Sequence, residues 1–247
     1  MTETAEVAPP PERVLVIVAH PDDVDFGAAG TVATWTDSGV EVTYCMVTSG
    51  DAGGSDRNQS YAQRAELREE EQRGAAAEVG VTDLRFLRHP DGRVEANAEL
   101  RRDITRVIRQ VRPQLVLCQS AERNLDRIYA SHPDHLAAGE ASLCAVYPDA
   151  RNPFAHPELL DIEGLEPWSV DETWIMAGPT TPEHARVVVD ITDVVDRKIA
   201  ALRAHVSQTG HRDGLDDMIR EWSIDTAAAG GLPVGRMAEM FRRVDTR

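Results

Sequence analysis

The stretch Arg13–His20 reads RVLVIVAH, a run of β-branched and apolar residues with no polar alternation. A strand of that kind fits only the middle of a sheet covered on both faces, which in practice means a parallel sheet flanked by helices. The residues that follow meet this demand. Gly27–Ser38 reads as a helix closed by Gly39, and Val40–Thr48 as a second strand followed by a polar, glycine-rich loop over Ser49–Ser60. Tyr61–Val79 carries strong helix formers and charge pairs four residues apart, ending at Gly80. Leu84–Arg88 reads as a third strand, Ala98–Val111 as a helix before Pro113, Gln114–Cys118 as a fourth strand and His135–Val146 as its helix. Strand and helix alternate throughout, as right-handed βαβ units do. The predicted class is therefore α/β: a Rossmann-like, mostly parallel twisted sheet with helices on both faces. After Pro148 the pattern breaks as far as Val170. Strands over Glu172–Met176 and Arg186–Ile191 follow, then a helix over Val194–Val206, one more helix and a terminal strand. The expected organisation is a disordered tail over residues 1–12 and a single domain over 13–247.

Charge narrows the range of partners. The 247 residues carry a formal net charge of −16, and aromatics make up only 5%. Such a surface repels nucleic acid phosphates and anionic lipid heads and offers little for base stacking, so neither nucleic acid nor membrane is expected as a partner. A small neutral or cationic substrate suits it better. Met1–Pro11 is acidic and proline-rich without the basic start and apolar core of a signal peptide. Cys45, Cys118 and Cys144 lie far apart in dissimilar contexts, as reduced thiols of a cytoplasmic protein do.

In an open α/β sheet, ligands bind beyond the carboxyl ends of the strands. Four loops lie there: His20–Phe26, Thr48–Ser60, His89–Arg93 and Ser120–His135. The first opens with His20-Pro21-Asp22-Asp23 and the last closes with His132-Pro133-Asp134-His135, each just ahead of a helix. Either alone reads as a turn and helix cap. Together, at one end of neighbouring strands, they crowd imidazoles and carboxylates that repel one another unless a cation sits among them. Mixed imidazole and carboxylate donors suit zinc or a similar divalent ion such as Fe2+. His20, Asp23 and His135 provide three ligands and leave one position open for water. Asp22 is then free to take that water's proton. His132, oriented and charged by Asp134, is placed to stabilise an oxyanion or to protonate a leaving amine. A third copy, His89-Pro90-Asp91-Gly92, reads as a turn whose carboxylate is available to a sugar hydroxyl. Gly27 and Gly30 do not make a dinucleotide loop, because Asp22 and Asp23 fill the space a pyrophosphate needs.

With its two histidine motifs, the chain resembles the PIG-L/LmbE-like zinc-dependent N-deacetylases, which remove acetyl groups from N-acetylglucosamine-type amino sugars. The resemblance runs from Arg13 to Val244. It takes in Phe26–Thr31, Thr48–Gly53, the helix with Arg68, Glu71 and Ala75, Val189–Thr192, Lys198 through His205-Val206-Ser207-Gln208, and Ala238-Glu239 with Phe241-Arg242. It implies an LmbE-like fold, with His20, Asp23 and His135 as zinc ligands, Asp22 as general base, and His132 with Asp134 as the electrophilic pair. It also implies Arg68 and Asp91 as substrate contacts. Departures exist: members of the family often carry Glu where this chain has Asp51, and the mycothiol-pathway deacetylases carry a tyrosine where this chain has Ala130, with Tyr129 one residue earlier. The expected activity is removal of an acetyl group from an N-acetyl amino sugar. The alternatives are an amidase acting on a mycothiol-type or other N-acyl conjugate, and a metal-binding protein without catalysis. Relatives form small and larger assemblies, so a homo-oligomer is compatible with the sequence.

Overall fold

The computed structural model of the chain describes residues 11–54, 56–125, 128–176 and 182–246, with the side chains of Tyr129, Ala130 and Glu183 outside the description. Most of the expected tail lies outside it too. In chain order the elements are β1 (Arg13–Val18), α1 (Asp23–Gly27), α2 (Ala29–Asp37), β2 (Glu41–Thr48), α3 (Tyr61–Glu78), β3 (Asp83–His89), α4 (Ala98–Val111) and β4 (Leu115–Cys118). They continue with α5 (Pro133–Cys144), α6 (Pro157–Asp161), β5 (Glu172–Met176), β6 (Arg186–Asp190), α7 (Val195–Ala204), α8 (Val206–Thr209), α9 (Leu215–Ala229) and β7 (Ala238–Asp245).

Among the described residues, all the strands join one seven-stranded sheet in the order β3-β2-β1-β4-β5-β7-β6. β3, β2, β1, β4 and β5 run parallel, and β7 is antiparallel to both its neighbours. The alternation of side chains along β1 explains its uniform apolarity. Val14, Val16 and Val18 enter one core with residues of α2 and α3, while Leu15, Ile17 and Ala19 enter another with α4 and α5. Tyr44 and Met46 against Cys45 and Val47 divide β2 the same way. Each fully buried Val, Leu or Ile contributes about 1.5–3 kcal/mol, so a polar residue anywhere in β1 is costly. A third cluster joins Ile191, Val195, Ile199 and Leu202 to Leu215 and Ile219 of α9.

The strand order places the functional end. From β1 the chain moves outward to β2 and β3, then returns to the other side of β1 as β4. The crevice beyond the carboxyl ends of β1 and β4 is thus a topological switch point, the ordinary ligand position of such sheets. Gln119 closes its floor, its Oε1 accepting from the Ala19 amide at 2.8 Å. One expected element differs. The helix predicted over Gly27–Ser38 is broken at Ala28, and α2 restarts because Glu239 of β7 accepts from the amides of Gly30 (3.1 Å) and Thr31 (2.7 Å). Lys198, 3% exposed, neutralises that carboxylate at 2.5 Å and donates to the Phe26 carbonyl at 2.7 Å.

Candidate metal centre

Both histidine motifs are helix starts built around proline. Pro133 occupies the first turn of α5, where its fixed φ and missing amide cost nothing, and His132 is the N-cap residue. The His132 Nδ1 accepts from the Asp134 amide at 3.2 Å, while His135 lies one turn on and faces the same crevice. At the other motif, Asp23 accepts from the His20 amide at 2.7 Å, closing a tight turn. The turn puts Asp22 in the left-handed region, with φ 90° and ψ −24°. A non-glycine residue there stores on the order of 1–3 kcal/mol, the kind of strain that collects at functional sites.

The donor atoms converge closely. His20 Nδ1 lies 3.2 Å from His135 Nε2 and 3.3 Å from Asp23 Oδ2, and His135 Nε2 lies 3.1 Å from Asp23 Oδ1. A tetrahedral ion about 2.0–2.1 Å from each ligand needs ligand spacings of roughly 3.3–3.4 Å, so spacings of this size suit a divalent cation held by the two imidazoles and the Asp23 carboxylate, each of whose oxygens faces one ring. His20, His132 and His135 also form a group able to hold an ion, with ring centroids 5.1–5.3 Å apart. The set containing Asp23 is the better one. Its carboxylate already touches both imidazoles, whereas His132 is exposed and its Nδ1 is engaged by a backbone amide.

The far side of His20 is held by carboxylates. Its Nε2 lies 3.1 Å from Asp91 Oδ1 and 3.2 Å from Asp134 Oδ2. A histidine gripped this way presents its other nitrogen to a metal in a fixed orientation. Burial works against a charged His20, yet Asp23 and hydrogen bonds to Asp134, Asp23 and Asp91 override it and push the imidazole up to about 12. His135 is likewise raised, against burial, by Asp23. Burial opposes the charged form of Asp23, but His135 and His20 hold it well below the usual carboxylate range. The crevice therefore demands positive charge, which protons or a metal ion can supply.

Asp22 stands apart from the cluster of His20, Asp23 and His135 donors. Burial pushes its carboxyl up to about 6, against the pull of Arg68. Arg68, 4% exposed, donates to Asp22 Oδ2 at 3.1 Å, to the Pro21 carbonyl at 2.5 Å and to the Gly50 carbonyl at 3.2 Å. Among the described residues the other oxygen of Asp22, Oδ1, has no hydrogen-bond partner.

Three positions sit otherwise than the sequence suggests. The Asp134 carboxylate is not turned to His132; it accepts from the amides of Gly92 (2.7 Å) and Val94 (3.3 Å) and faces His20. It is the Asp134 backbone that orients His132, because the start of α5 offers free amides there. His132 is lowered, by burial and by the charge of His20. Its neutral tautomer, with Nδ1 as acceptor, carries its proton on Nε2. Arg68 lies behind Asp22 rather than on an open surface, and Asp91 is turned inward to His20 and to the Ala52 amide at 3.0 Å. His89 pairs with Asp103 at 3.2 Å, away from the crevice. The tyrosine comparison at Tyr129 and Ala130 concerns side chains outside the described residues.

Sequence reading passed over Gln72 and Asp25, both fully buried beneath the turn of Asp22. The available signal was helical spacing: Arg68, Gln72 and Ala75–Ala76 share the buried face of α3, where a glutamine needs a polar partner.

Comparison with known proteins identifies a family. The family model described as PIG-L, GlcNAc-PI de-N-acetylase, matches residues 15–146. The chain is 34% identical over 197 residues to a diacetylchitobiose deacetylase of Thermococcus kodakarensis, covering 80% of this chain and 70% of that protein. It is 31% identical over 232 residues to a probable N-acetyl-alpha-D-glucosaminyl L-malate deacetylase 2 of Bacillus anthracis, covering 85% and 91%. The solved structure of N,N'-diacetylchitobiose deacetylase from Pyrococcus horikoshii superposes with a TM-score of 0.84 at 29% identity, covering 96% of this chain and 85% of that one.

Proposed function

This chain belongs to the PIG-L family, and we propose that its crevice hydrolyses the acetamide of a neutral N-acetylglucosaminyl glycoside with a zinc ion held by His20, Asp23 and His135. It is an enzyme acting on N-acetyl amide bonds of N-acetylglucosamine-type substrates. The observation that carries the mechanistic reading is the donor triangle of 3.1–3.3 Å beside a carboxylate, Asp22, that has one oxygen uncommitted. A divalent ion bound there supplies the Lewis acidity that activates water and polarises the acetamide carbonyl.

The chain's own groups do the rest. Asp22 Oδ1 accepts a proton from the attacking water, and Arg68 keeps the other oxygen from rotating into its place. As the carbonyl carbon becomes tetrahedral, His132 Nε2–H donates to the developing oxyanion. Such a donor contributes about 10²–10³-fold. When the C–N bond breaks, the nitrogen needs a proton. With His132 neutral, protonated Asp22 returns the one it received, and a carboxyl near 6 suits both directions. Acetate and a free amine leave. Asp91 and Asp134 orient His20, and Arg68 orients Asp22, so all three act on the substrate indirectly. We read residues 13–247 as one domain in the cytoplasm, a location supported by the unpaired Cys45, Cys118 and Cys144. No helix among the described residues is long and apolar enough to cross a membrane.

The test is a mass-spectrometric screen of N-acetylated amino sugars and their glycosides with metal-loaded protein. Loss of acetyl from a neutral glycoside such as N,N'-diacetylchitobiose is the expected result. Turnover confined to thiol conjugates or to multiply anionic sugars would refute the substrate assignment.

A further inference from the structure

The segment His205-Val206-Ser207-Gln208 takes no part in the chemistry above, yet each of its polar side chains has a hydrogen-bond partner, although His205 Nδ1 is buried without one among the described residues. His205, at the joint of α7 and α8, is fully buried, and its Nε2 lies 2.8 Å from Asp25 Oδ2. Ser207 donates from its amide and its hydroxyl to the two oxygens of Glu71 on α3, at 2.7 and 2.6 Å. Gln208 donates to the Ser207 hydroxyl at 3.0 Å. The segment is thus clamped between α3 and the floor beneath the crevice.

From His205 a line of hydrogen bonds runs to the base. Asp25, also fully buried, accepts a second bond on the same oxygen, from Gln72 Nε2 at 2.9 Å. Gln72 Oε1 then accepts the Asp22 amide proton at 2.9 Å. The polarity of each link follows from the one before it. A carboxylate only accepts, so it forces the NH2 end of Gln72 toward itself, and this turns the glutamine oxygen toward Asp22. His205 Nε2 meets the same Asp25 oxygen, so that buried oxygen has two partners. Arg68 and Gln72 are one turn apart on α3, so a single helix face grips both ends of Asp22, the carboxylate and the amide. A chain needing only packing here would do as well or better with apolar residues.

We propose that Gln72, Asp25 and His205 are positioning residues for the catalytic base: a buried line of fixed polarity that keeps Asp22 in its left-handed turn with its free oxygen toward the reacting water. This rests on reading Asp22 as the base. The line acts on geometry at the reacting atoms and not on substrate affinity or metal capture.

The experiment compares Gln72→Leu, Gln72→Glu, Asp25→Asn and the double variant Gln72→Glu/Asp25→Asn, with Asp22→Asn as reference. N,N'-diacetylchitobiose is the probe, and bound metal per chain and Tm are measured alongside. Gln72→Leu should lower kcat roughly 10–100-fold, as small misplacements of catalytic groups do, with KM within about twofold and metal content unchanged. Gln72→Glu breaks the line by setting one carboxylate against another, whereas Asp25→Asn keeps an oxygen for both donors and separates loss of charge from loss of polarity. The double variant reverses its polarity. The carboxylate introduced on α3 accepts from the Asp22 amide and from the side-chain amide introduced beneath it, whose second N–H is donated to His205 Nε2, now the acceptor. It should recover kcat to within about threefold of the parent. Unchanged kcat in Gln72→Leu overturns the proposal, as does a folded, metal-loaded double variant no better than Gln72→Glu alone. An active Asp22→Asn would instead overturn the base assignment itself. An inactive Asp22→Asn beside an unaffected Gln72→Leu would sink only this inference.

Discussion

Asp22→Asn should destroy turnover and, in metal-stripped protein, make the fold more stable. The folded carboxyl titrates near 6 against an ordinary 3.8, with burial as the main cause. Because the folded value is the higher one, the native state holds the proton more tightly than the unfolded chain does. The stability associated with that proton is complete below pH 3.8, falls as pH rises and is fully lost above about 6. At about 1.4 kcal/mol for each pH unit, keeping Asp22 ionised at pH 7 costs the native state about 3 kcal/mol. Asparagine is neutral, keeps an oxygen for Arg68, and is among the residues most tolerant of positive φ. Allowing for imperfect geometry, the expected gain is on the order of 2 kcal/mol at pH 7, or about 5 °C in Tm for a chain of this size. The assay is thermal or urea unfolding of the stripped proteins at pH 5 and 7. By the same linkage the gain at pH 5 should be about half that at pH 7. Metal-loaded protein should show a smaller gain, because the cation offsets the carboxylate. If stripped Asp22→Asn were less stable than the parent at pH 7, or its gain did not vary with pH, Asp22 would not be a carboxylate ionised at a cost.

Three further outcomes are expected. His20→Ala, Asp23→Ala and His135→Ala should each lose the bound metal by elemental analysis, while His132→Ala keeps it and loses roughly 10²–10³-fold in kcat; retention in Asp23→Ala with loss in His132→Ala would make the three imidazoles the ligand set. Gly50→Ala and Gly53→Ala should lower both activity and Tm, at roughly 1–3 kcal/mol each. A Cβ at either position would run into the Arg68 guanidinium, and Gly50 sits at φ +66°; unaltered kcat in both would mean Arg68 can move without disturbing Asp22. Lys198→Met leaves Glu239 charged and buried, so unfolding should show a loss of about 3–5 kcal/mol, largely recovered in Lys198→Met/Glu239→Gln; a mild single variant would show that water reaches Glu239.

Much of this arrangement was legible from local pattern. The apolar β1 and the alternating helices point to a parallel sheet, and the two proline-centred motifs lie at one end of neighbouring strands, which brings His20, Asp23, His132 and His135 to one crevice. Proline at a helix start and histidine at a cap are short-range facts, readable without contacts. The break at Ala28 was not readable. It depends on Glu239, more than two hundred residues away in sequence, accepting the first amides of α2.

The roles of Asp91, Asp134 and Arg68 were hidden for a related reason. Sequence shows that a carboxylate is present in a loop but not which way it faces, and spacing naturally paired Asp134 with the neighbouring His132. Asp134 occupies the first turn of α5, so its direction is set by the competing amides of Gly92 and Val94, delivered by a different loop. Once those amides hold Asp134, His20 becomes its cationic partner, and His132 is left to the helix backbone with its proton on the nitrogen facing the crevice. Arg68 shows the same dependence on distant partners: the guanidinium is 4% exposed, with Asp22, Pro21 and Gly50 all within hydrogen-bonding reach. His132 is the exposed member of the three imidazoles, and the proposed preference for neutral glycosides rests on the chain's net charge of −16.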